Sequence, residues 1–344
     1  MTDHATHSGA GPVVVSDAAW YLPEREIPVT GLTALNEAER RSLAGLGIDT
    51  VRADDRLSAL DLCERAGREV LDRAGLDARR LGALILVESR APETFLSSEP
   101  TRLQHLLGAE SATTFMVGGL GCVSVVPALL TARGLLAAEP GLEHVLVVHG
   151  SKPAAATRYR HPVTVNGDGG QALLLSRGSR SRSGSGGVRV RDIAQHTDGR
   201  FWDLFHVKYR DRPTSQWREE CADPRTYSFR LALETRARLS ALLDAMLERN
   251  GLRRAEVRGY VSHNLSTSGF RFTEESLDIG LHPVCRENLR RYGHLGPNDI
   301  FLNLYTALER KEFAAGDHVV LITASPVAAW SLLLVEIGPQ EGVA

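Results

Sequence analysis

Cys122 stands in the stretch FMVGGLGCVSVVPALLTARG, between a glycine-rich turn and a helix-like pattern. Backbone N–H groups are unpaired at the start of a helix, and together with the helix dipole they lower the pKa of a thiol placed there. Gly118, Gly119 and Gly121 let the backbone turn sharply and approach a ligand. The stretch therefore predicts a nucleophilic cysteine.

The other cysteines have different surroundings. Cys63 and Cys285 lie on apolar faces and are predicted to be core residues, and Cys221 lies in a charged stretch without a base near it in sequence. No C-x-x-C pair occurs, which favours reduced thiols over a disulfide framework or a zinc site. We therefore expect one nucleophilic thiol, Cys122, and neither a bound metal nor a cofactor.

A nucleophilic thiol needs a base, and His263 is the candidate because GYVSHNLS places it directly after an apolar strand. Three side chains could orient this imidazole, and all lie in the later stretch GHLGPNDIFLNLYTALE: Asn298, Asp299 and Asn303. The pattern predicts a Cys–His–carboxylate or a Cys–His–amide site.

The elements that must position these residues alternate between helices and strands. SALDLCERAGREVLDRAG has its apolar residues on one helical face, and LGALILVES follows as an apolar run of strand length. TTFMVG, SVVPALLTARGLLAAE and HVLVVHGS continue as strand, helix and strand. This alternation predicts an α/β fold.

The second half of the chain repeats the first. Gly75 and Gly251 each follow a helix pattern and are 176 residues apart. His144 and His318 each begin a strand pattern and are 174 residues apart. Two similar α/β units in one chain predict a pseudo-twofold fold, with a site where the strand ends of both halves meet.

The same offset locates the second wall of the predicted site. Counted from Cys122, it reaches residues 296–298, which again form a glycine-containing turn before a helix pattern. We therefore expect Asn298 or Asp299 to face Cys122.

Two stretches of unusual composition interrupt the repeat. RGSRSRSGSGGVRV is rich in Gly, Ser and Arg and predicts a solvated turn between an N-terminal half, 1–178, and a C-terminal half, 187–344. DGRFWDLFHVKYRDRPTSQW is a long aromatic and basic insertion before a helix of the second half. This insertion could line a substrate entrance or form a surface lid, and the sequence leaves both open.

Composition excludes several classes of function. The 344 residues carry a net charge of −2 with a pI near 6.6, which gives no electrostatic case for nucleic acid or an anionic membrane as partner. No run of about 18 apolar residues and no secretory signal pattern occurs, so a cytoplasmic location is expected. Small molecules and proteins remain as partners.

Four stretches together resemble the ketoacyl synthase III family of the thiolase superfamily, over nearly the whole chain. GLGCVSVVPAL is similar to the nucleophile segment, VNGDGGQALLL to a G-D-G-A turn, SHN to the histidine segment, and GDHVVLITASPVAAW to the C-terminal strand and loop. The resemblance implies a five-layered αβαβα thiolase fold, a homodimer, and acyl transfer through a Cys122 thioester from an acyl carrier protein or coenzyme A. Cys122, His263 and Asp299 are then the expected catalytic residues.

The chain departs from the family at the partner of the histidine. The family has an asparagine in a G-N-x-S segment, where this chain has GPNDIFLN; counting back from TAL and GDHVVL favours position 298 or 299, and of these Asp299 is preferred. An ionised aspartate cannot donate a hydrogen bond to a malonyl thioester, as decarboxylative condensation requires. It can stabilise His263 as imidazolium while that residue deprotonates a hydroxyl or amine, as in relatives that acylate alcohols or amines in natural-product pathways.

A second departure concerns the oxyanion. Condensing relatives have a glycine-rich loop where this chain has TASPVAAW. Pro326 has no N–H, so donation must come from its neighbours or from the backbone of Cys122.

Three functions follow from these observations, in order of preference. The first is an acyltransferase of antibiotic or other natural-product biosynthesis that acylates a hydroxyl or amine of a sugar or aminocyclitol-like acceptor. The second is a decarboxylative 3-oxoacyl synthase III that primes fatty-acid or polyketide chains. The third is an inactive partner that only binds carrier protein, which the candidate pair Cys122 and His263 argues against.

Overall fold

The computed structural model describes residues 13–32, 35–92, 94, 96–154, 157–177 and 187–339. Most of the predicted linker, residues 178–186, lies outside the described residues, so the boundary between the halves stays a prediction. The described strands are β1 (Val13–Tyr21), β2 (Glu26–Pro28), β3 (Thr50–Arg52), β4 (Ala83–Val87), β5 (Thr113–Val117), β6 (His144–Ser151), β7 (Tyr159–Arg160), β8 (Thr164–Val165), β9 (Gly169–Ser176), β10 (Val188–Thr197), β11 (Phe205–His206), β12 (Glu220–Cys221), β13 (Gly259–Ser262), β14 (His318–Ser325) and β15 (Ala329–Ile337). The described α-helices are α1 (Glu37–Ala44), α2 (Ala59–Ala74), α3 (Glu99–Leu107), α4 (Val125–Ala138), α5 (Ala232–Arg249), α6 (Thr267–Leu277), α7 (Val284–Tyr292) and α8 (Asp299–Glu309).

Local signals set the ends of α2, the first long helix. Ser58 accepts a hydrogen bond from the Asp61 backbone N–H, and the Asp61 side chain accepts one from the Ser58 N–H, so a capping box starts the helix. Gly75 ends it in the left-handed conformation, with φ of 56°. The predicted alternation of α2, β4, β5, α4 and β6 is confirmed.

The central sheet shows the predicted repeat. Its described strands run in the order β13-β14-β15-β10-β1-β9-β6-β4-β5, and the two halves meet where β1 pairs with β10. In the first half, Ala83 of β4 pairs in parallel with Val145 of β6. In the second half, Gly259 of β13 pairs in parallel with Val319 of β14, at the offsets found in the sequence. The pseudo-twofold relation of the halves is therefore confirmed.

Helices cover both faces of each half of the sheet. In the first half, α2 and α3 pack on one face, and α4 packs on β4 and β6 from the other. In the second half, α5 packs on β15 and β10 and against α6, whereas α8 packs on β13 and β14. The predicted five-layered αβαβα thiolase fold is confirmed, with α4 and α8 as the inner helices.

Helix α4 is unusually apolar because it lies in the middle layer, where protein covers it on both sides. By length and composition the stretch Gly121–Ala138 could cross a membrane. Here it packs against β4, β5 and β6, and residues such as Val126 and Leu129 are buried in the main core. Its hydropathy is therefore accounted for by its place in the middle layer.

Close packing of β6 on α2 predicts a stability effect. A Cβ added at Gly150 would lie 1.9 Å from the carbonyl oxygen of Ala59, so Gly150→Ala forces the helix off the sheet. We expect a loss of about 2 kcal/mol or more, measured as a lower Tm in thermal unfolding. The control is Gly134→Ala in α4, where the added Cβ meets nothing within 4 Å. This control should be neutral or stabilising by about 0.5–1 kcal/mol, and equal Tm values for the two variants would contradict the packing argument.

Candidate active site

The nucleophile loop approaches the second half of the chain very closely. Cys122 lies in a one-turn 3-10 helix, Gly121–Val123, directly before α4, as predicted. Gly121 has φ of 55°, and a Cβ there would lie 2.7 Å from Oγ of Ser325 on β14. Thr323 Oγ1 donates a hydrogen bond of 3.3 Å to the carbonyl oxygen of Cys122. Glycine at position 121 therefore lets the thiol reach the meeting point of the two halves.

A matching turn lies on the other side of the pseudo-twofold axis. The 3-10 helix Gly296–Asn298 precedes α8 and contacts the turn that carries Cys122. Its Gly296 also has a left-handed φ, of 66°. The location predicted for the second wall of the site is thus confirmed.

His294, directly before this turn, is fixed by its backbone. Its N–H donates to the Val165 carbonyl at 2.9 Å, and its carbonyl accepts from the Gly167 N–H at 3.0 Å. The preceding Gly293 has φ of 62°, and a Cβ there would lie 2.5 Å from the Val165 carbonyl oxygen. These contacts hold the imidazole against the first half.

The side chains of Cys122, His294 and Asp299 form a continuous chain of contacts. His294 Nε2 lies 3.0 Å from Cys122 Sγ, and His294 Nδ1 lies 2.6 Å from Asp299 Oδ2. All three residues are buried. This is a thiol, an imidazole and a carboxylate in the order that a nucleophile, its base and the group that orients the base require.

Both carboxylate oxygens of Asp299 accept hydrogen bonds. Besides the imidazole, its Oδ2 accepts from the Asn264 backbone N–H at 2.8 Å, and its Oδ1 accepts from the Leu295 N–H at 2.8 Å. The carboxylate therefore fixes the His294 tautomer, with Nδ1 protonated and Nε2 facing the sulfur.

The electrostatics of the site favour an ion pair of Cys122 and His294. Burial by itself raises the pKa of the Cys122 thiol, but the His294 imidazolium and the Arg160 and Arg90 guanidiniums outweigh it and lower that pKa. Burial lowers the pKa of His294, but the Cys122 thiolate and Asp299 together raise it to about 9. The surroundings therefore favour the thiolate–imidazolium form of the pair.

The predicted base His263 contacts neither Cys122 nor Asp299 in the described structure. Its Nδ1 lies 3.4 Å from the Ile322 carbonyl oxygen, its buried Nε2 has no hydrogen-bond partner among the described residues, and Asp299 contacts His294 instead. Its ring centroid is 6.4 Å from that of His294. Burial and the positive charge of His294 lower the pKa of His263 to about 4, so it stays neutral.

The alternatives to Asp299 have structural contacts. Asn303 Nδ2 donates to the Ser262 carbonyl and to Asn264 Oδ1, both at 2.8 Å, which secures the end of β13. Asn298 Nδ2 donates to the Gly169 carbonyl at 3.3 Å. Of the three predicted candidates, Asp299 alone contacts a histidine of the site in the described structure.

Sequence reasoning missed His294 because it sought a histidine at a strand end. A usable signal lay in YGHLGPND, where His294 stands between two glycines at the turn before α8 and five residues ahead of Asp299. Which of two histidines meets the thiol depends on backbone pairing with residues 165–167, which are distant in sequence.

A cavity of about 290 Å³ gives access to Cys122. It is lined by glycines and polar residues of the first half, by Gly296 and Pro297, and by the Ser325–Val327 loop. The predicted aromatic and basic insertion contributes Phe205, His206 and Val207, so it lines this entrance. Cys63 and Cys285 are buried as expected, and burial raises the pKa of Cys285 to about 12.

Comparisons with known proteins agree with this fold. Residues 247–337 match the family described as 3-oxoacyl-(acyl-carrier-protein) synthase III, C terminal. The chain is 26% identical over 333 residues to a β-ketoacyl-(acyl-carrier-protein) synthase III of Ruegeria pomeroyi, covering 94% of this chain and 99% of that protein.

Solved structures show the same architecture along the whole chain. A 3-oxoacyl-(acyl carrier protein) synthase III, FabH, of Pseudomonas aeruginosa PAO1 superposes with a TM-score of 0.76 at 19% identity, over 97% of this chain and 100% of that one. A protein named ChlB3 and described as an acyltransferase superposes with a TM-score of 0.79 at 20% identity, over 96% and 99%.

The fold and site thus define a thiolase-fold enzyme that transfers acyl groups. The chain is similar over nearly its whole length to FabH-like ketoacyl synthase III proteins of the thiolase superfamily.

The ion pair predicts how Cys122 reacts with iodoacetamide. His294→Gln removes the imidazolium, so burial raises the pKa of Cys122 and alkylation at pH 7 should slow by about tenfold or more. His263→Gln should change the rate little, because that imidazole is already neutral. Mass spectrometry of the Cys122 peptide gives the rates, with Cys122→Ala as the blank. Equal slowing in both variants would show that His294 is not the specific partner.

Proposed function

We propose that the protein is an acyltransferase that carries an acyl group on Cys122, from an acyl carrier protein or acyl coenzyme A to a hydroxyl or amine. The observation that carries this proposal is the contact chain from Cys122 through His294 to Asp299. The acceptor class, a sugar or aminocyclitol-like natural-product intermediate, rests on the resemblance of the sequence to natural-product acyltransferases.

In the first half-reaction the Cys122 thiolate attacks the carbonyl carbon of the donor thioester. The new S–C bond forms, the donor C–S bond breaks, and the departing thiolate takes the proton of His294 Nε2. The enzyme is left as a neutral thioester with a neutral imidazole, whose Nδ1–H still donates to Asp299.

In the second half-reaction the His294 Nε2 lone pair takes the proton of the acceptor as its oxygen or nitrogen attacks the acyl carbon. The C–S bond then breaks, the ester or amide leaves, and the thiolate and imidazolium are restored. Asp299 stabilises the imidazolium that forms in this step.

Backbone N–H groups of the nucleophile turn are the proposed oxyanion donors. In the Ser325–Ala328 loop, Pro326 has no N–H, the Ala328 N–H donates to the Ser325 carbonyl at 2.9 Å, and the Val327 N–H lies 3.5 Å from Ser325 Oγ. We therefore assign the oxyanion to the N–H of Cys122, at the start of the 3-10 helix.

Two observations favour transfer over decarboxylative condensation. Condensation needs hydrogen-bond donors for the thioester oxygen of the malonyl group. The contact of His263 Nδ1 with a carbonyl places its proton there, so Nε2 can only accept. The amide of Asn303 donates to Ser262 and Asn264 instead.

A second cavity leaves room for donor and acceptor to approach from different sides. It measures about 400 Å³, is lined by His263, Phe270 and other residues of α5 and α6, and shares Ser325 and Pro326 with the first cavity. We assign the two cavities to the two substrates of the transfer.

A homodimer is part of this proposal. At one edge of the central sheet, β5 pairs only with β4 among the described strands. Met116 on β5 is an exposed large hydrophobic residue, and Phe115 is half-buried. An apolar edge strand of this kind is a surface suited to pairing with a second copy of the chain.

The experiment that tests the proposed function follows the acyl group through both half-reactions. Intact-mass spectrometry after incubation with a panel of acyl thioesters should show one acyl adduct, absent in Cys122→Ala. Hydroxylamine, as a small nucleophile, should then release the acyl group as a hydroxamate. In Asp299→Asn and His294→Gln this release should slow by about 100-fold.

His263→Gln serves as the comparison variant in this experiment. It should form the acyl-enzyme and release the hydroxamate at rates much closer to those of the wild type, since the imidazole contacts neither Cys122 nor Asp299. Acylation of Cys122→Ala would refute the nucleophile, and loss of release in His263→Gln alone would return the base to that residue.

A further inference from the structure

Two arginines face the sulfur of Cys122 from the first half of the chain. Arg90 follows β4 and Arg160 ends β7, and both line the cavity that contains Cys122. Their side chains are only 17% and 10% exposed. The positive charges of Arg160 and Arg90 lower the pKa of the Cys122 thiol.

The carboxylate of Glu219 forms ion pairs with the guanidiniums of both Arg90 and Arg160. Glu219, which follows the aromatic and basic insertion, accepts a hydrogen bond from Arg160 Nε. The distance from Arg90 Nε to Glu219 Oε1 is 3.8 Å, and Asn166 Nδ2 also donates to that oxygen, at 3.3 Å. Arg90 is left with a buried terminal nitrogen, Nη1, that has no hydrogen-bond partner among the described residues.

Two other charged side chains of the cavity wall, Lys152 and Glu88, have hydrogen-bond partners within the protein. Lys152 Nζ donates to the carbonyl oxygens of Asp54 and Leu57, at 2.5 Å each, and lies 3.4 Å from Asp168 Oδ2. Glu88 Oε2 accepts from the Gly119 N–H at 2.8 Å. The cluster of Arg90, Arg160 and Glu219 therefore presents one excess positive charge beside the nucleophile.

Acylation changes the charge balance around this cluster. In the free enzyme the negative charge of the Cys122 thiolate lies beside the two guanidiniums and favours their charged forms. A thioester is neutral, so acylation removes the negative charge on the sulfur, and Glu219 is then the carboxylate that pairs with both buried guanidiniums. An uncompensated buried charge is costly, and a guanidinium binds a carboxylate with two parallel hydrogen bonds.

We propose that the acyl group carried by Cys122 ends in a carboxylate, which Arg90 binds together with Arg160. The acyl donor is then a thioester of a short dicarboxylic acid, of a size that the cavity of about 290 Å³ accommodates. This inference rests on the proposed acyl transfer. The thioester exchange leaves the carboxylate intact, because no C–C bond breaks.

The position of the arginines distinguishes the acyl group from the donor's phosphates. The phosphates of coenzyme A or of a carrier-protein arm lie at the far end of an extended chain from the reacting sulfur. Arg90 and Arg160 line the same cavity as Cys122, so they lie near the position where the acyl group is attached. The acyl group is therefore the assigned ligand.

Matched thioesters test the proposal on the intact protein. Succinyl and butyryl coenzyme A have acyl chains of equal carbon number, and only the first ends in a carboxylate. Rates of Cys122 acylation, followed by intact mass, should favour the succinyl group by about tenfold or more, as expected for about 1.4 kcal/mol of binding. Malonyl against propionyl coenzyme A should give the same preference.

Variants show whether Arg90 causes the preference. Arg90→Met keeps much of the side-chain volume and removes the charge, so the succinyl-to-butyryl ratio should fall towards one, and Arg90→Lys should retain part of it. The control is Arg79→Met, at a surface arginine paired with Asp77, which should leave the ratio unchanged. Equal rates in the wild type, or a preference that survives Arg90→Met, would overturn the proposal.

Alkylation separates this proposal from the proposed function. Iodoacetate carries a carboxylate where iodoacetamide carries a neutral amide. Both reagents alkylate a thiol directly, so their reaction does not depend on acyl transfer. Relative to Cys221, which lies outside the cavity lining, Cys122 should favour iodoacetate in the wild type and lose this preference in Arg90→Met. If this holds and no thioester acylates Cys122, the anion site stands and acyl transfer is wrong. If acylation occurs without either preference, acyl transfer stands and the anion site is wrong.

Discussion

The rest of the site depends on one buried ion pair, between the Cys122 thiolate and the His294 imidazolium. Cys122 is 4% exposed and His294 is fully buried, so water stabilises neither charge and each depends on the other. Asp299 makes the pair possible, because it opposes the imidazolium and its own charge is held by two backbone N–H groups. Acylation neutralises the thiolate and, through transfer of the Nε2 proton, the imidazolium, so the neighbouring guanidiniums lose an opposing charge, which links nucleophile activation to the choice of acyl group.

The fold consists of two related halves, and each half contributes one residue of the ion pair. Cys122 comes from the turn before α4, and His294 and Asp299 come from the related turn and helix before and in α8. Pairing of β1 with β10 joins the halves into one sheet, and the glycines at positions 121 and 293 let the two turns pack against the opposite half. The middle layer of the thiolase fold thus sets the distance between thiol and base.

Periodicity and repeat spacing predicted two related α/β halves, the turn that carries Cys122 and the turn that faces it, because each is a local or regularly repeated property, whereas the five-layered thiolase arrangement was implied by the family resemblance. Asp299 was also predicted, although as the partner of the wrong histidine. Which of His263 and His294 contacts the thiol depends on the backbone pairing of residue 294 with a loop that is distant in sequence. Such pairing produces no periodic pattern in the amino-acid sequence. The sequence likewise did not reveal the excess charge at Arg90, since its partner Glu219 is more than a hundred residues away along the chain.

The central claim is that the Cys122–His294–Asp299 arrangement transfers acyl groups without condensing them. The most direct measurement supplies the wild type with an acyl thioester and ¹³C-labelled malonyl-carrier protein, and follows labelled carbon dioxide together with the 3-oxoacyl product. The wild type should give an acylated Cys122, carbon dioxide at the level of the Cys122→Ala blank, and no 3-oxoacyl product. Release of carbon dioxide in step with an equal amount of 3-oxoacyl product would contradict it and identify the enzyme as a condensing synthase.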